Sequence, residues 1–203
     1  WNATYDRPAK YMREYLGALI PLLEDRAVDW AGEMIITSAS MGFKSPPTPS
    51  VLLAAMAPLM LKLAGEQTDG TILWMCGRKT VETHIAPRIN RAAEAAGRRA
   101  PRVCVALPIC VTDEPEAARE SVAATLGGYG RLVNYRAALD IEGAAGPEDV
   151  AIVGNEDEVE AQLRDFASAG ATDFFASFTT TGRGDTESPL RTRALLKRLI
   201  GAF

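Results

Sequence analysis

The fold is decided by the stretch PSVLLAAMAPLMLKLAGEQTDGTILWMCGRKT, residues 49–80. We interpret it as a buried strand over residues 50–55, a helix that begins near Pro58, and a second buried strand over residues 71–76. A Gly-Arg-Lys sequence then begins another helix. A buried apolar run that leads directly into a helix is typical of parallel α/β proteins, so the stretch predicts a parallel sheet.

Two further apolar runs, residues 103–111 and 172–178, predict two more strands with helices between them. Residues 26–50 are expected to be irregular, with a short β-like piece at residues 34–37. The sequence therefore predicts a single α/β domain over residues 1–203, built from parallel β/α units. A standard (β/α)8 barrel needs eight strands and typically about 250 residues. Four strands predict an incomplete barrel or an open sheet.

Composition and charge exclude several classes of protein. Net charge is −4, so no basic field favours nucleic acid, and no run of about 18 apolar residues predicts a membrane helix. Three cysteines in apolar runs (Cys76, Cys104 and Cys110) predict buried free thiols in a reducing compartment. With no signal-peptide pattern at the start, we expect a cytoplasmic protein. The sequence does not begin with Met, so we expect a processed, truncated or partial chain.

Two strand-to-helix turns are candidates for binding an anion. In the first, small residues at positions 54–57 precede a helix start, where free backbone N–H groups can bind phosphate. The alternative is a plain tight turn. In the second, Gly77, Arg78 and Lys79 combine a helix start with two cations, which oppose the helix dipole unless an anion lies nearby. The alternative there is a solvated basic first turn.

Other polar residues carry weaker signals. The loop over residues 179–185 contains hydroxyls, glycines and Arg183, which suits either an anion-contacting loop or a plain solvent loop. We interpret His84, the only histidine, as a structural or surface residue, and one histidine makes a zinc site improbable. Trp74 is either a core residue or the wall of a flat cofactor. No acid, base or nucleophile stands out, so the chemistry comes from a cofactor or from residues outside this chain.

Four segments together resemble the luciferase-like monooxygenase superfamily, and most closely its branch that uses the deazaflavin coenzyme F420. The resemblance spans essentially the whole chain. The segments are DRPAKYMREYL (residues 6–16), PSVLLAAMAPLMLKLAGEQTDGTILWMCG (residues 49–77), YRAALD (residues 135–140) and GPEDVAIVG (residues 146–154).

The resemblance implies a (β/α)8 TIM barrel with an insertion before the fifth strand. On that map the four predicted strands are similar to strands five to eight, and strands one to four are absent. The family's cofactor lies across the carboxyl ends of the strands, and its phosphate contacts the backbone that corresponds here to Ala55, Met56 and Ala57. The family usually has glycine where Ala57 stands. Gly77 begins the next loop, where the acidic tail of F420 suits Arg78 and Lys79.

Three functions follow from this resemblance. The first is an F420-dependent oxidoreductase that transfers a hydride to or from a small organic substrate. The second is a monooxygenase of the same superfamily that depends on flavin mononucleotide (FMN). The third is a noncatalytic half-barrel that self-associates through its open strand edges, and in any of the three a homo-oligomer is expected.

Overall fold

The computed structural model describes residues 6–42 and 47–202 and shows an α/β architecture. Its helices, in chain order, are α1 (Pro8–Asp25), α2 (Pro58–Gln67), α3 (Arg78–Thr80), α4 (Ala86–Ala95), α5 (Pro115–Leu126), α6 (Val133–Glu142), α7 (Glu156–Ser168) and α8 (Glu187–Leu199). Its strands are β1 (Ala27–Ala31), β2 (Ile36–Ser40), β3 (Leu52–Ala54), β4 (Gly70–Trp74), β5 (Arg102–Val111), β6 (Ile152–Gly154) and β7 (Asp173–Phe178).

The main sheet contains the four predicted strands in the order β3-β4-β5-β7, and every pairing is parallel. The parallel sheet and the strand–helix alternation predicted from the sequence are therefore confirmed. The short strand β6 was missed. It pairs with the last three residues of β5, on the same side as β4, because β7 occupies the opposite side of β5. Three residues are too few for the apolar pattern to reveal a strand.

One face of the sheet is covered by helices and carries the main core. Leu73 of β4 is 1% exposed and packs with Leu61 of α2 and with Ile85 and Ile89. Its neighbours Ile72 and Trp74 are only half-buried. Since side chains alternate along a strand, the second face of β4 is the less covered one. Burying a Leu or Ile side chain contributes roughly 1.5–3 kcal/mol, so the helix-covered face supplies most of the stability.

The sheet has open edges. In the part of the chain that the structure describes, β3 pairs only with β4, and β6 and β7 each pair only with β5, so the strands do not close into a barrel. Phe175 of β7 is 58% exposed beside one of these edges. The incomplete barrel expected from the strand number is confirmed. No helix within the described residues has the length and apolarity needed to span a bilayer.

Residues 26–42 are more regular than the sequence suggested. Strands β1 and β2 form an antiparallel hairpin that packs against α1. The Glu14 carboxylate accepts hydrogen bonds from the backbone N–H groups of Met34 and Ile35 at 2.7 and 2.9 Å, and these bonds lower the pKa of Glu14. The ring of Trp30 lies over Gly17 of α1, where a Cβ would meet it at 2.4 Å. The hairpin was missed because its anchors are long-range contacts.

Candidate functional site

The first two strand-to-helix turns lie side by side at the carboxyl edge of the sheet. Ala54 at the end of β3 pairs with Ile72 of β4, so the segments that follow the two strands are neighbours. In parallel α/β proteins this edge is where ligands bind. The predicted site residues all lie in these two segments, apart from Trp74, which is the last residue of β4.

The turn after β3 leaves a helix N-terminus open. Ala57 is the N-cap of α2, has extended backbone angles (φ −74°, ψ 148°) and provides no side-chain cap. Among the residues described, none accepts a hydrogen bond from the backbone N–H of Ala57, Leu59 or Met60. Ala55 is buried, whereas Ala57 is exposed. This turn therefore presents free donors to an anion from outside the chain.

Met56 links the same turn to the next helix. Its carbonyl oxygen lies 2.9 Å from Nε2 of His84, and its sulfur lies 3.4 Å from the thiol sulfur of Cys76. A cavity of about 160 Å³ adjoins these residues. It is lined by Met56, Ala57, Pro58, Thr80, His84, Ile85, Asn134, Ala137, Ala138 and Ile141. The turn after β3, the helical segment of residues 80–85 and α6 thus line one small, mainly apolar space.

The turn after β4 already holds an anion, and that anion belongs to the protein. The Glu142 carboxylate, at the end of α6, accepts hydrogen bonds from the backbone N–H of Lys79 (3.1 Å) and from both N–H (2.8 Å) and Oγ1 (3.0 Å) of Thr80. Gly77 is required here, because a Cβ at that position would meet Glu142 Cδ at 2.4 Å. The anion inferred from the Gly-Arg-Lys pattern is therefore present as Glu142.

The two cations of this turn point away from that carboxylate contact and remain accessible. Arg78 is exposed and forms an ion pair with Glu82 one helical turn later, with Nη1 2.8 Å from Oε2. Lys79 is also exposed, and within residues 6–42 and 47–202 no carboxylate lies within ion-pair distance of its ammonium group. An acidic ligand would meet these two side chains rather than the backbone N–H groups of residues 79 and 80.

Trp74 is the start of an aromatic cluster beside the same edge. Its ring lies 6.0 Å from that of Tyr129, edge to face at 75°, and Tyr129 in turn lies 5.0 Å from Tyr135. The indole N–H of Trp74 is buried and has no hydrogen-bond partner in the described chain. Burial raises the pKa of Tyr135. Trp74 is thus half-buried against other aromatic rings, which suits a wall and offers no reactive group.

Burial disfavours the thiolate form of all three cysteines. Burial, reinforced by the negative charge of Glu142, raises the pKa of Cys76 to about 12. Burial also raises the pKa values of Cys104 and Cys110. All three cysteines are buried and free, as the sequence predicted. Since only the thiolate is nucleophilic, these residues are packing groups.

The loop after β7 is held by its own aspartate. The Asp185 carboxylate accepts hydrogen bonds from the backbone N–H groups of Thr181, Glu187 and Ser188 and from the Thr181 hydroxyl, at 3.0 to 3.1 Å. These bonds lower the pKa of Asp185 well below its ordinary value. Arg183 is exposed at the tip. The loop is therefore anchored internally.

An arginine from α8 joins two further segments at this edge. Arg191 donates two hydrogen bonds to Asp113, which follows β5, and two to Glu156 in the first turn of α7. The distances are 2.8 to 3.2 Å, and the contacts lower the pKa of Glu156 to about 2. The pairing ties the carboxyl end of β5 to α7 and α8.

Sequence reasoning placed the predicted residues at the carboxyl edge of the sheet, where the structure has them, but missed Glu142 and the contact of His84. Glu142 lies more than 60 residues along the chain from the N–H groups from which it accepts hydrogen bonds, so no local sequence pattern predicts this contact. His84 offered one signal: it lies three residues before Pro87 inside a helical segment, where a proline disturbs the hydrogen bonds of the preceding turn.

Three comparisons relate the chain to known proteins. A family model described as luciferase-like monooxygenase matches residues 1–173. The 5,10-methylenetetrahydromethanopterin reductase of Methanolobus tindarius is 31% identical over 124 residues, which are 61% of this chain and 37% of that protein. The chain therefore spans well under half of this curated relative.

Solved structures share the fold. The coenzyme F420-dependent tetrahydromethanopterin reductase of Methanopyrus kandleri superposes with a TM-score of 0.66 at 22% identity, covering 84% of this chain and 57% of that one. The oxygenating constituent of 3,6-diketocamphane monooxygenase from Pseudomonas putida, in complex with FMN, gives 0.57 at 15% identity, covering 88% and 63%.

Proposed function

Because the chain belongs to the luciferase-like monooxygenase family, we propose that it forms part of an oxidoreductase that binds the deazaflavin coenzyme F420. The reductase relative from Methanolobus tindarius supports an oxidoreductase. The F420-dependent reductase among the solved structures has the same fold and is consistent with this cofactor. When bound, the deazaflavin supplies hydride transfer to or from a small organic substrate.

The observation that carries the proposal is the open N-terminus of α2. The free N–H groups of Ala57, Leu59 and Met60 suit the phosphate of the cofactor, because the helix dipole and three unpaired donors favour a bound anion. Of these three residues, Ala57 belongs to the backbone (Ala55, Met56 and Ala57) that the family resemblance assigns to the phosphate. The backbone of Ala55 and Met56 leads into this turn and sets its direction.

The exposed side chains of the next turn suit the acidic tail. Arg78 and Lys79 lie beside the open N-terminus, and the tail of F420 carries carboxylates. Gly77 keeps this turn close to Glu142, so the turn has a fixed shape. Trp74 provides an aromatic surface for the flat ring system at the end of β4. The role proposed for these residues is therefore to bind and orient the cofactor.

Cofactor titration of the purified 203-residue chain tests the proposal. We expect F420 to bind at least tenfold more tightly than FMN. Tighter binding of FMN would favour the FMN-dependent monooxygenase, an alternative supported by the FMN complex among the solved structures. If the chain binds neither cofactor, both proposals fail for this chain.

A charge reversal tests the role of the basic turn. Arg78→Glu is expected to weaken F420 binding, and more so for longer glutamyl tails, because each added carboxylate is repelled. Arg99→Glu is the matched control: it makes the same charge change in the segment that precedes β5, at the opposite edge of the sheet. Equal effects of the two variants, or no dependence on tail length, would remove Arg78 from the site.

A second candidate function is self-association. The unpaired edges of β3 and β7, the exposed Phe175 and an apolar groove of about 530 Å³ between α7, α8 and β7 support it. Light scattering should then detect a homodimer, and Phe175→Asp should yield a monomer, whereas Val133→Asp, at an 84% exposed position on α6, should not. A wild-type chain that is monomeric at every concentration would contradict this candidate.

A further inference from the structure

The contact between His84 and Met56 fixes one peptide group of the turn after β3. Nε2 of His84 lies 2.9 Å from the carbonyl oxygen of Met56. A carbonyl oxygen can only accept, so Nε2 carries a hydrogen and donates it, whatever the charge of the ring. The peptide between residues 56 and 57 is planar and trans, so its N–H points in the direction opposite to its carbonyl.

A widened helical turn brings His84 to this position. Between α3 and α4 the helix passes through a π-turn, Val81–Ile85, in which the N–H of Ala86 bonds to the carbonyl of Val81 five residues earlier. Pro87 accounts for the widening, because it lacks an N–H and its ring would collide with the carbonyl of Thr83 in a regular α-helix. Arg88 Nη1 donates instead to the carbonyls of Thr83 and His84, at 3.3 and 2.9 Å.

We propose that His84 is a positioning residue for the anion bound at the N-terminus of α2. By holding the Met56 carbonyl, it fixes the free N–H of Ala57 in the direction opposite to that carbonyl, at the same helix start as the free N–H groups of Leu59 and Met60. This inference rests on the proposed binding of a phosphate-bearing cofactor. It assigns the single histidine to the binding of the phosphate.

The cavity beside this contact explains why the hydrogen bond matters. About 160 Å³ of mainly apolar space adjoins Met56 and Ala57, and α6 forms its far wall. Without the bond from His84, the peptide of residues 56 and 57 has room to rotate into this space. A rotated peptide would withdraw one of the three donors and leave the rest of the fold unchanged.

A pair of variants with similar side-chain length isolates the donor. His84→Gln retains an N–H that can reach the Met56 carbonyl, whereas His84→Met has a chain of similar length and no donor. Each variant is titrated with FMN and with riboflavin, which differ only in the phosphate. The same measurement uses F420 and its ribityl deazaflavin fragment, which lacks both the phosphate and the acidic tail, so the FMN and riboflavin pair isolates the phosphate. Thermal unfolding of each variant checks that it is folded.

We expect His84→Met to bind FMN and F420 about tenfold more weakly than wild type, while its affinity for the phosphate-free compounds changes less than twofold. His84→Gln should recover at least half of the loss on a logarithmic scale. An equal loss for both members of each ligand pair would indicate a purely structural role and would overturn the inference. So would wild-type affinity in His84→Met.

Two outcomes separate this inference from the proposed function. If wild type binds the cofactors and the His84 variants behave as wild type, only the role of His84 fails. If wild type binds none of the four compounds, the proposed function fails and the inference fails with it. An amide NMR titration needs no variant: FMN, but not riboflavin, should shift the Ala57 N–H resonance of wild type, and an unshifted resonance on FMN binding would overturn the inference.

Discussion

The turns after β3 and β4 begin neighbouring helices at the same edge of the sheet, but different groups meet their N-termini. After β4, the Glu142 carboxylate accepts hydrogen bonds from the backbone N–H groups of Lys79 and Thr80. After β3, Ala57 offers no cap and its N–H has no acceptor in the described residues. The turn with the more conspicuous sequence, Gly-Arg-Lys, is the one that is satisfied internally.

This difference teaches that residue type alone does not identify an anion site. The N–H groups of a helix N-terminus need acceptors, and after β4 a carboxylate from a distant part of the chain supplies them. The informative quantity is the number of donors that remain unpaired in the folded state. By that measure the plain sequence Ala-Met-Ala-Pro is the better candidate.

Removing the Glu142 carboxylate should have the largest effect on stability. Glu142→Ala leaves the backbone donors of residues 79 and 80 and the buried Thr80 hydroxyl without this acceptor, which costs about 1–3 kcal/mol. Urea unfolding measures the loss. Asp140→Ala is the control, since it removes a carboxylate from the same helix that forms only an exposed ion pair with Arg136, worth about 0–1 kcal/mol.

The same variant should leave the turn after β4 open to an external anion. With Glu142 absent, sulfate should raise the melting temperature of Glu142→Ala more than that of wild type, because the freed N–H groups now bind an external anion. If sulfate stabilises both proteins equally, the N–H groups freed by the substitution do not bind an external anion, and the prediction is wrong.

A Cβ at Gly77, in the turn after β4, should also lower the stability, but by less than the loss of Glu142. Gly77→Ala places a Cβ 2.4 Å from Glu142 Cδ, so the carboxylate must move and its hydrogen bonds weaken. We expect a loss of about 1–2 kcal/mol in unfolding free energy. In a double-mutant cycle with Glu142→Ala the two losses should be clearly sub-additive, since both act on one contact. Full additivity would show that Gly77 serves another purpose.

At the open turn, a smaller residue should change binding and leave stability nearly unaltered. Ala57→Gly removes the exposed Cβ at the N-cap, where glycine is tolerated at least as well as alanine, so unfolding free energy should change by less than about 0.5 kcal/mol. A phosphate-bearing cofactor should bind a few-fold more tightly, because it can approach the backbone more closely. Riboflavin should show no gain, and a gain for riboflavin would contradict this explanation.

The smallest expected effect extends the comparison to the N-terminus of α7. Its Glu156 has a pKa lowered to about 2 from 4.5 by Arg191, so this contact stabilises the fold fully above pH 4.5 and is lost as the pH falls toward 2. Because the pair is partly exposed, it contributes at most about 1 kcal/mol. Urea unfolding at pH 7 and pH 3 should show a smaller acid loss for Glu156→Gln than for wild type.

Local patterns predicted the elements that local forces determine. The strands β4 and β5 are apolar runs, and α2 begins at a proline. These three elements and the parallel pairing of the two strands therefore followed from the sequence. The β1–β2 hairpin did not, because its order depends on contacts of Glu14 with residues 34 and 35 and of Trp30 with Gly17, which are 13 or more residues apart in the chain. For the same reason the edge that carries the candidate site was predictable, and the partner of each helix N-terminus was not.

The length of β5 has a consequence for the dynamics of the protein. Its ten residues pair with β4 and β6 along one side and with β7 along the other, so both edges of the strand are engaged. Local fluctuations that detach β3 or β7, each held at one side, leave β5 intact. Its amide hydrogens should therefore exchange with solvent only in global unfolding, and their exchange rates report the stability of the whole sheet.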